Sequence, residues 1–364
     1  MVLGDGIRRD IAKVSKEERD LFIDAVKQLN RIYYSPTGSR TDFPAGHVSY
    51  WFKQDEIHQS SHVHRCPAFL PWHRELCNRY EALLRTIHPE LSLHYWDWNS
   101  DPSSMPDGQG GVVNLFDADF MGNADGTVNE GSVGEPLLSA GFYDPNAVDG
   151  KFRSDTAPIF SSDKPDPNDP STSKYPLNSN PADPPKTLKR DKPAGSPRVG
   201  KGSWPEDKDI VNANTWEQLK DGIEGAHTGA HLYIGGNLAR QHLSFRDPFV
   251  FLLHSNVDRL WAMWQLQPGH EERLDPKHVY NTDCGTTGKG DINSGQPIWG
   301  ILSPLVPWAG FNSQTTATGI IENLQPVRPW YAPENEQDMT GNYKTSLDVS
   351  VVTPPSYDTA SHSG

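Results

Sequence analysis

The chain has 364 residues, with 33 lysines and arginines against 47 aspartates and glutamates, for a formal charge of −14. At 35% hydrophobic and 22% charged it can bury a core, and its acidic balance argues against nucleic acid or an anionic membrane as main partner, because both reward a basic face. No apolar run approaches the roughly 18–20 residues of a membrane span, the first residues show no basic-then-apolar leader pattern, and three cysteines outside any CxxC spacing make a disulfide framework or thiolate zinc site improbable.

In chain order, Ser15-Lys16-Glu17-Glu18 reads as a capping box. Behind it Leu21, Phe22, Ala25, Val26, Leu29, Ile32 and Tyr33 recur at helical spacing. A shorter helix is expected from about Val48 to Ile57. Pro71 opens the next one, with Leu76, Tyr80, Leu83, Leu84 and Ile87 on one face and Pro89 ending it. The Gly- and Asp-rich stretch from Asp101 to Gly134 reads as irregular loop. Ten of the 31 prolines lie between Ser161 and Pro205 with hardly a large apolar residue, which rules out a helix or central strand there and predicts a long loop excursion. Trp216 to Ile234 is helical up to Gly235-Gly236. Asp247-Pro248 then sets a cap before a proline at the first helical position, and Phe249, Leu252, Leu253, Val257, Leu260, Trp261 and Trp264 form an apolar stripe. Residues 301–352 carry short β-like runs such as Leu347–Val352, and the small, polar tail 353–364 is expected to be disordered.

The 14 histidines are not scattered. His227 and His231 are four apart, so on a helix their rings share one face and reach one ion; His254 lies on the next helix. An earlier cluster holds His58, His62, His64 and His73, with His47 nearby. Without thiolates and with few carboxylates, such sites suit zinc, copper, iron or nickel. Two sets of three imidazoles suggest two metals, each with an open position.

His64-Arg65-Cys66-Pro67-Ala68-Phe69-Leu70-Pro71-Trp72-His73, followed by Leu93-His94-Tyr95-Trp96-Asp97-Trp98, resembles the first copper motif of tyrosinases. Asp247 to Trp261, with His227, His231 and Gly235-Gly236 upstream, resembles the second. The chain is thereby similar to the type-3 copper family of tyrosinase, catechol oxidase, o-aminophenol oxidase and hemocyanin. The resemblance implies a mainly α fold whose central four-helix bundle holds a dicopper site, with long irregular loops and a few short β-strands. His64 and His73 match the second and third ligands of the first copper, and His227, His231 and His254 match those of the second. His58, seven residues after Trp51 and behind Ile57, fits the first ligand of the first copper; His47 is the alternative, and His62 lies too close to His64.

Several positions depart from the family's pattern. Leu253 replaces a histidine that many members carry beside the last ligand, and Val250 replaces a common phenylalanine. Thr228 stands where strong monophenol oxidases often have asparagine. Glu224, with Glu217 in reserve, is the candidate for the glutamate that holds a water used to deprotonate a bound phenol. Cys66 and Cys77 match neither position of the family's cysteine–histidine thioether, so none is expected. Asp258, Asp97 and backbone carbonyls are the candidates for orienting the ligand rings, with ion pairing to Arg74 or Arg259 the competing role for the aspartates. Trp72, Trp96, Trp98, Trp261 and Trp264 are expected in the core.

The implied activity is copper-dependent oxidation of phenols and o-diphenols to o-quinones with O2. An o-aminophenol oxidase is the alternative enzyme, and a hemocyanin-like dioxygen carrier the alternative class, disfavoured by the absence of an internal repeat. The expected partners are small phenols and, as for some relatives, a separate copper-loading caddie protein, with neither nucleic acid nor membrane. Histidines on both sides of 161–205 build one site, so one domain over 1–352 is expected, a short catalytic unit of bacterial type. Its compartment stays open between cytoplasm and an exported mature form.

Overall fold

The computed structural model describes residues 3–31, 33–34, 48–49, 51, 54, 58, 69–117, 120–122, 190–191, 204–239, 244–275 and 352–358. Among these residues five helices have their bounds defined and make the frame: α1 (Lys16–Arg31), α2 (Phe69–Ile87), α3 (Asp207–Val211), α4 (Trp216–Ile234) and α5 (Phe249–Gln265). Short 3-10 turns span Ser244–Arg246 and Glu271–Leu274. Two antiparallel two-stranded pairs complete it, β1 (Tyr33–Tyr34) with β2 (Val48–Ser49), and β3 (Met105–Pro106) with β4 (Val112–Val113).

The helix starts follow their caps. Ser15 Oγ accepts from the Glu18 amide at 3.2 Å, while the Glu18 carboxylate meets Nε2 of His94 at 2.8 Å. Thr215 caps α4 by accepting from the Gln218 amide, and Gly235, at φ 71°, turns the chain out of that helix. Before α5, Asp247 Oδ1 accepts from the Phe249 amide at 3.0 Å. α5 is the axis, packed against α2, α3 and α4. Its Phe249, Leu252, Leu253 and Leu260 are fully buried, each such side chain contributing about 1.5–3 kcal/mol. The opposite side of α5 is buried as well, including Ser255, Asn256, Asp258 and Arg259, so the helix is enclosed all round and not half solvated. Trp51, Gln54 and His58 lie in helical backbone, and Trp51 meets Tyr80 of α2 and Phe251 of α5 at ring distances of 5.9 and 6.0 Å. Among the described residues, these three stand with α2, α4 and α5 at the centre. The five tryptophans named above are all buried. Among the described residues, no helix is long and apolar enough to cross a membrane.

Four expectations need correction. Val48–Ser49 is a strand and not the start of a helix, because β-branched Val48 pairs across to Tyr34; Tyr33 likewise leaves α1 for that pair. The Asp101–Gly134 loop contains the β3–β4 hairpin, turned by Asp107, whose Oδ1 accepts from the Gln109 and Gly111 amides. Val352 lies in helical backbone and is buried, while 347–351 lie outside the described residues. The tail is docked over 353–358. Arg8 donates its amide to the Ser356 carbonyl at 2.9 Å, and its guanidinium meets the Tyr357 hydroxyl at 3.0 Å. Burial of that guanidinium requires acceptors, and the tail adds one to those of Asp258, Glu81 and Asn78.

Behind α2 and α5 runs an ionic seam. Arg8 donates to Asp258 at 2.9 Å and to Glu81 at 2.8 Å. Arg74 pairs with the other oxygen of Asp258, donates to Gln265 at 2.7 Å and lies 3.4 Å over the Trp261 ring. Tyr357 donates to Asp258 at 2.9 Å. Arg259 takes a different partner, Asp207, at 3.4 Å. Asp97 accepts from the backbone and side-chain nitrogens of Asn99.

Candidate metal centre

α2, α4 and α5 each aim histidines into the space between them. His73 lies in the second turn of α2, behind Pro71, whose missing N–H costs nothing in the first turn. His227 and His231 sit one turn apart on α4, and His254 lies near the middle of α5. His58 enters from the segment headed by Trp51. The His73 and His254 rings are stacked 4.8 Å apart at 5°, while His58 stands 5.9 Å from His73 and 6.5 Å from His254. His227 Nε2 faces His254 Nε2 at 3.1 Å. One ring nitrogen from each of His227, His231 and His254 lies within 4.8 Å of the others, close enough to share an ion.

Three rings are held in one way. His73 Nδ1 meets the Phe69 carbonyl at 2.7 Å, His254 Nδ1 the Val250 carbonyl at 2.8 Å, and His231 Nδ1 the Leu238 carbonyl at 2.8 Å. A carbonyl only accepts, so Nδ1 carries the hydrogen and Nε2 keeps its lone pair for a metal. Two of these carbonyls lie four residues before their histidine in the same helix, and the third lies in the turn beyond Gly235. Among the ring-orienting candidates, backbone carbonyls therefore do the work, and Asp258 belongs to the seam. Burial pulls the His73 pKa down to about 3 and that of His231 down to about 4, so both rings are neutral near pH 7, as a metal ligand must be. This donor set of neutral imidazoles fits a soft-to-borderline transition metal.

Two phenylalanines wall the space. Phe245 stacks on His58 at 4.2 Å, and Phe69 lies 4.6 Å from His73 and 5.0 Å from His227. Sequence reasoning missed Phe245 as a wall, since only the 3-10 turn at Ser244–Arg246 turns it inward. Glu224, His227, Thr228 and His231 form one stripe of α4 by their spacing of three and four. Thr228 is exposed at its edge, and Glu224 lies 3.6 Å from Lys220 Nζ. Glu217 sits in the first turn of α4, two turns before Glu224. His47, His62, His64 and Cys66 lie outside the described residues. Cys77 is buried on α2.

The family model for the common central domain of tyrosinase matches residues 39–267. The chain is 25% identical over 308 residues to a tyrosinase of Streptomyces glaucescens, covering 82% of this chain and 94% of the relative. It is 26% identical over 315 residues to the grixazone synthase of Streptomyces griseus, covering 83% and 93%. Among solved structures, a polyphenol oxidase from Thermothelomyces thermophila matches with a TM-score of 0.52 at 22% identity, covering 77% of this chain and 76% of that one, a likeness of fold.

Proposed function

The chain belongs to the tyrosinase family, copper oxidoreductases that act on phenols with a dinuclear site and O2, and from that premise we propose an oxidase that turns o-diphenols into o-quinones more readily than it hydroxylates monophenols. His58, His64 and His73 are the proposed ligands of one copper, and His227, His231 and His254 those of the other. The observation that carries the ligand reading is the common hold on His73, His231 and His254, each tied at Nδ1 to a carbonyl. When bound, the coppers supply Lewis acidity and the capacity to pass two electrons to O2.

The chain's own residues do the rest. Phe69 and Phe245 exclude water and offer ring faces to an aromatic substrate. Thr228, at the exposed edge beside His227, presents a hydroxyl to an incoming phenol. Glu224 is the proposed proton acceptor, directly or through a water. Its neighbour Lys220, and a hydroxyl where an amide would hold that water better, weaken monophenol deprotonation and favour catechols. The domain is proposed to run over 1–352 with 161–205 as an excursion within it.

Initial rates on tyramine, catechol and o-aminophenol after copper loading test the proposal. Catechol should be fastest. A copper-loaded chain that oxidises none of the three overturns the enzyme reading in favour of a dioxygen carrier, tyramine as fastest substrate overturns the diphenol preference, and o-aminophenol as fastest makes the chain an o-aminophenol oxidase. Copper content assigns the remaining ligand: His58→Ala should hold about one ion in place of two, and the same loss in His47→Ala would move the assignment.

A further inference from the structure

Two residues within the second half of the proline-rich stretch, Arg190 and Asp191, touch the ends of both helices that carry the second histidine trio. The Arg190 guanidinium grips Asp247 with two hydrogen bonds, Nε to Oδ2 at 2.7 Å and Nη2 to Oδ1 at 2.6 Å. Its remaining nitrogen reaches the carbonyls of Met121 and Gly122 at 3.3 and 3.5 Å. Both members of the pair are at 0% side-chain exposure, and the guanidinium lies 4.8 Å over Phe116 and 5.3 Å over Phe249. The next residue reaches the other helix. The Asp191 amide donates to the Ile234 carbonyl, the last of α4, at 2.7 Å, and the Asp191 side chain lies against Gly235 so closely that a Cβ there has no room.

Each contact sits one step from a carbonyl that orients a histidine. Asp247, fixed by Arg190, accepts the Phe249 amide on its side chain and the Val250 amide on its own carbonyl at 3.0 Å; the Val250 carbonyl in turn holds His254. Gly235, against Asp191, opens the turn whose Leu238 carbonyl holds His231. We infer that Arg190 and Asp191 form a clip that positions the His231 and His254 rings, making Arg190 a positioning residue for one of the two coppers. A side-on guanidinium suits this task because its planar fork fixes the carboxylate's orientation as well as its place. The inference rests on the ligand assignment proposed above.

Copper retention tests it apart from turnover. The copper-loaded full chain is titrated with a chelator, and copper retained per chain is counted for the parent, Arg190→Met, and the double variant Arg190→Met with Asp247→Asn. The double variant leaves no unpaired charge, so it keeps the question answerable where the single variant does not fold. Half of the copper should leave at about ten- to hundredfold lower chelator concentration, the usual cost of losing a group that orients a ligand. The other half should leave as in the parent. Equal retention of both ions in the double variant overturns the inference and leaves the ligand assignment standing, as does equal weakening of both, which marks a general structural role. A double variant that does not fold assigns the pair to folding alone. A parent chain that holds no copper overturns the ligand assignment, and the inference with it.

Discussion

The histidine-lined interior and the ionic seam behind it share the same two helices and solve opposite problems. Inside, His73, His231 and His254 are each held at Nδ1 by a neutral backbone carbonyl, and burial keeps the His73 and His231 rings uncharged near pH 7. Four residues along α5 from His254, charge is concentrated: Asp258, Arg8 and Arg74, each at 2% exposure or less, meet there with the Tyr357 hydroxyl. Neutral orienters leave the Nε2 lone pairs, and the net charge of the cavity, to the metals. The seam supplies fixed, compensated charge where no chemistry occurs, tying residues from distant parts of the chain. The difference teaches that one helix can be built from two kinds of polar support, one tuned for ligation and one for assembly.

Substitutions on the two sides should separate these roles. Asp258→Ala leaves Arg74 buried without its carboxylate and should cost about 3–5 kcal/mol, read as a lower urea midpoint of the copper-free chain. His254→Ala, one turn away, should cost about 1 kcal/mol while abolishing tight binding of one copper; an equal loss of stability in the two variants would erase the distinction. A pH series on Asp10 probes the edge of the seam. Burial raises its pKa from 3.8 to about 6. The folded state thus holds a proton that the unfolded state has lost between those values, and the penalty of the charged form is absent below pH 3.8 and complete above about pH 6. Asp10→Asn keeps the acceptor for the Ala12 amide, so it should flatten stability between pH 4 and 6 and gain at most about 3 kcal/mol at pH 7. Tyr357→Phe removes one donor from Asp258 and should cost about 1 kcal/mol, with copper content unchanged. Thr228→Asn, on the exposed edge of α4, should leave stability within about 0.5 kcal/mol and raise the ratio of monophenol to diphenol rates. An unchanged ratio would remove Thr228 as a control point.

What was legible in the residues follows the same division. α4 and α5 announce themselves by caps, glycine stops and helical periodicity, and His227, His231 and His254 by a spacing that only a helix makes useful. The β1–β2 pair was illegible because two-residue strands carry no alternation to read. The seam was half legible. Pairing of Asp258 with Arg74 was one of two readings, but Arg8 and Tyr357 are separated by 349 positions, and no local pattern joins them. Arg190 looks in sequence like one more basic residue among lysines and prolines; only its burial against Asp247 gives it a role.

The docked tail has a consequence in the order of synthesis. The last histidine-bearing helix is complete at Gln265, and Tyr357 is made about 90 residues later, a delay of roughly 5–20 s at ordinary translation rates. During that interval the histidines of α2, α4 and α5 already exist on the nascent chain, while the hydroxyl that closes the seam has yet to be added. The seam behind the histidine-bearing helices is thus closed last, by a segment made after those helices are complete.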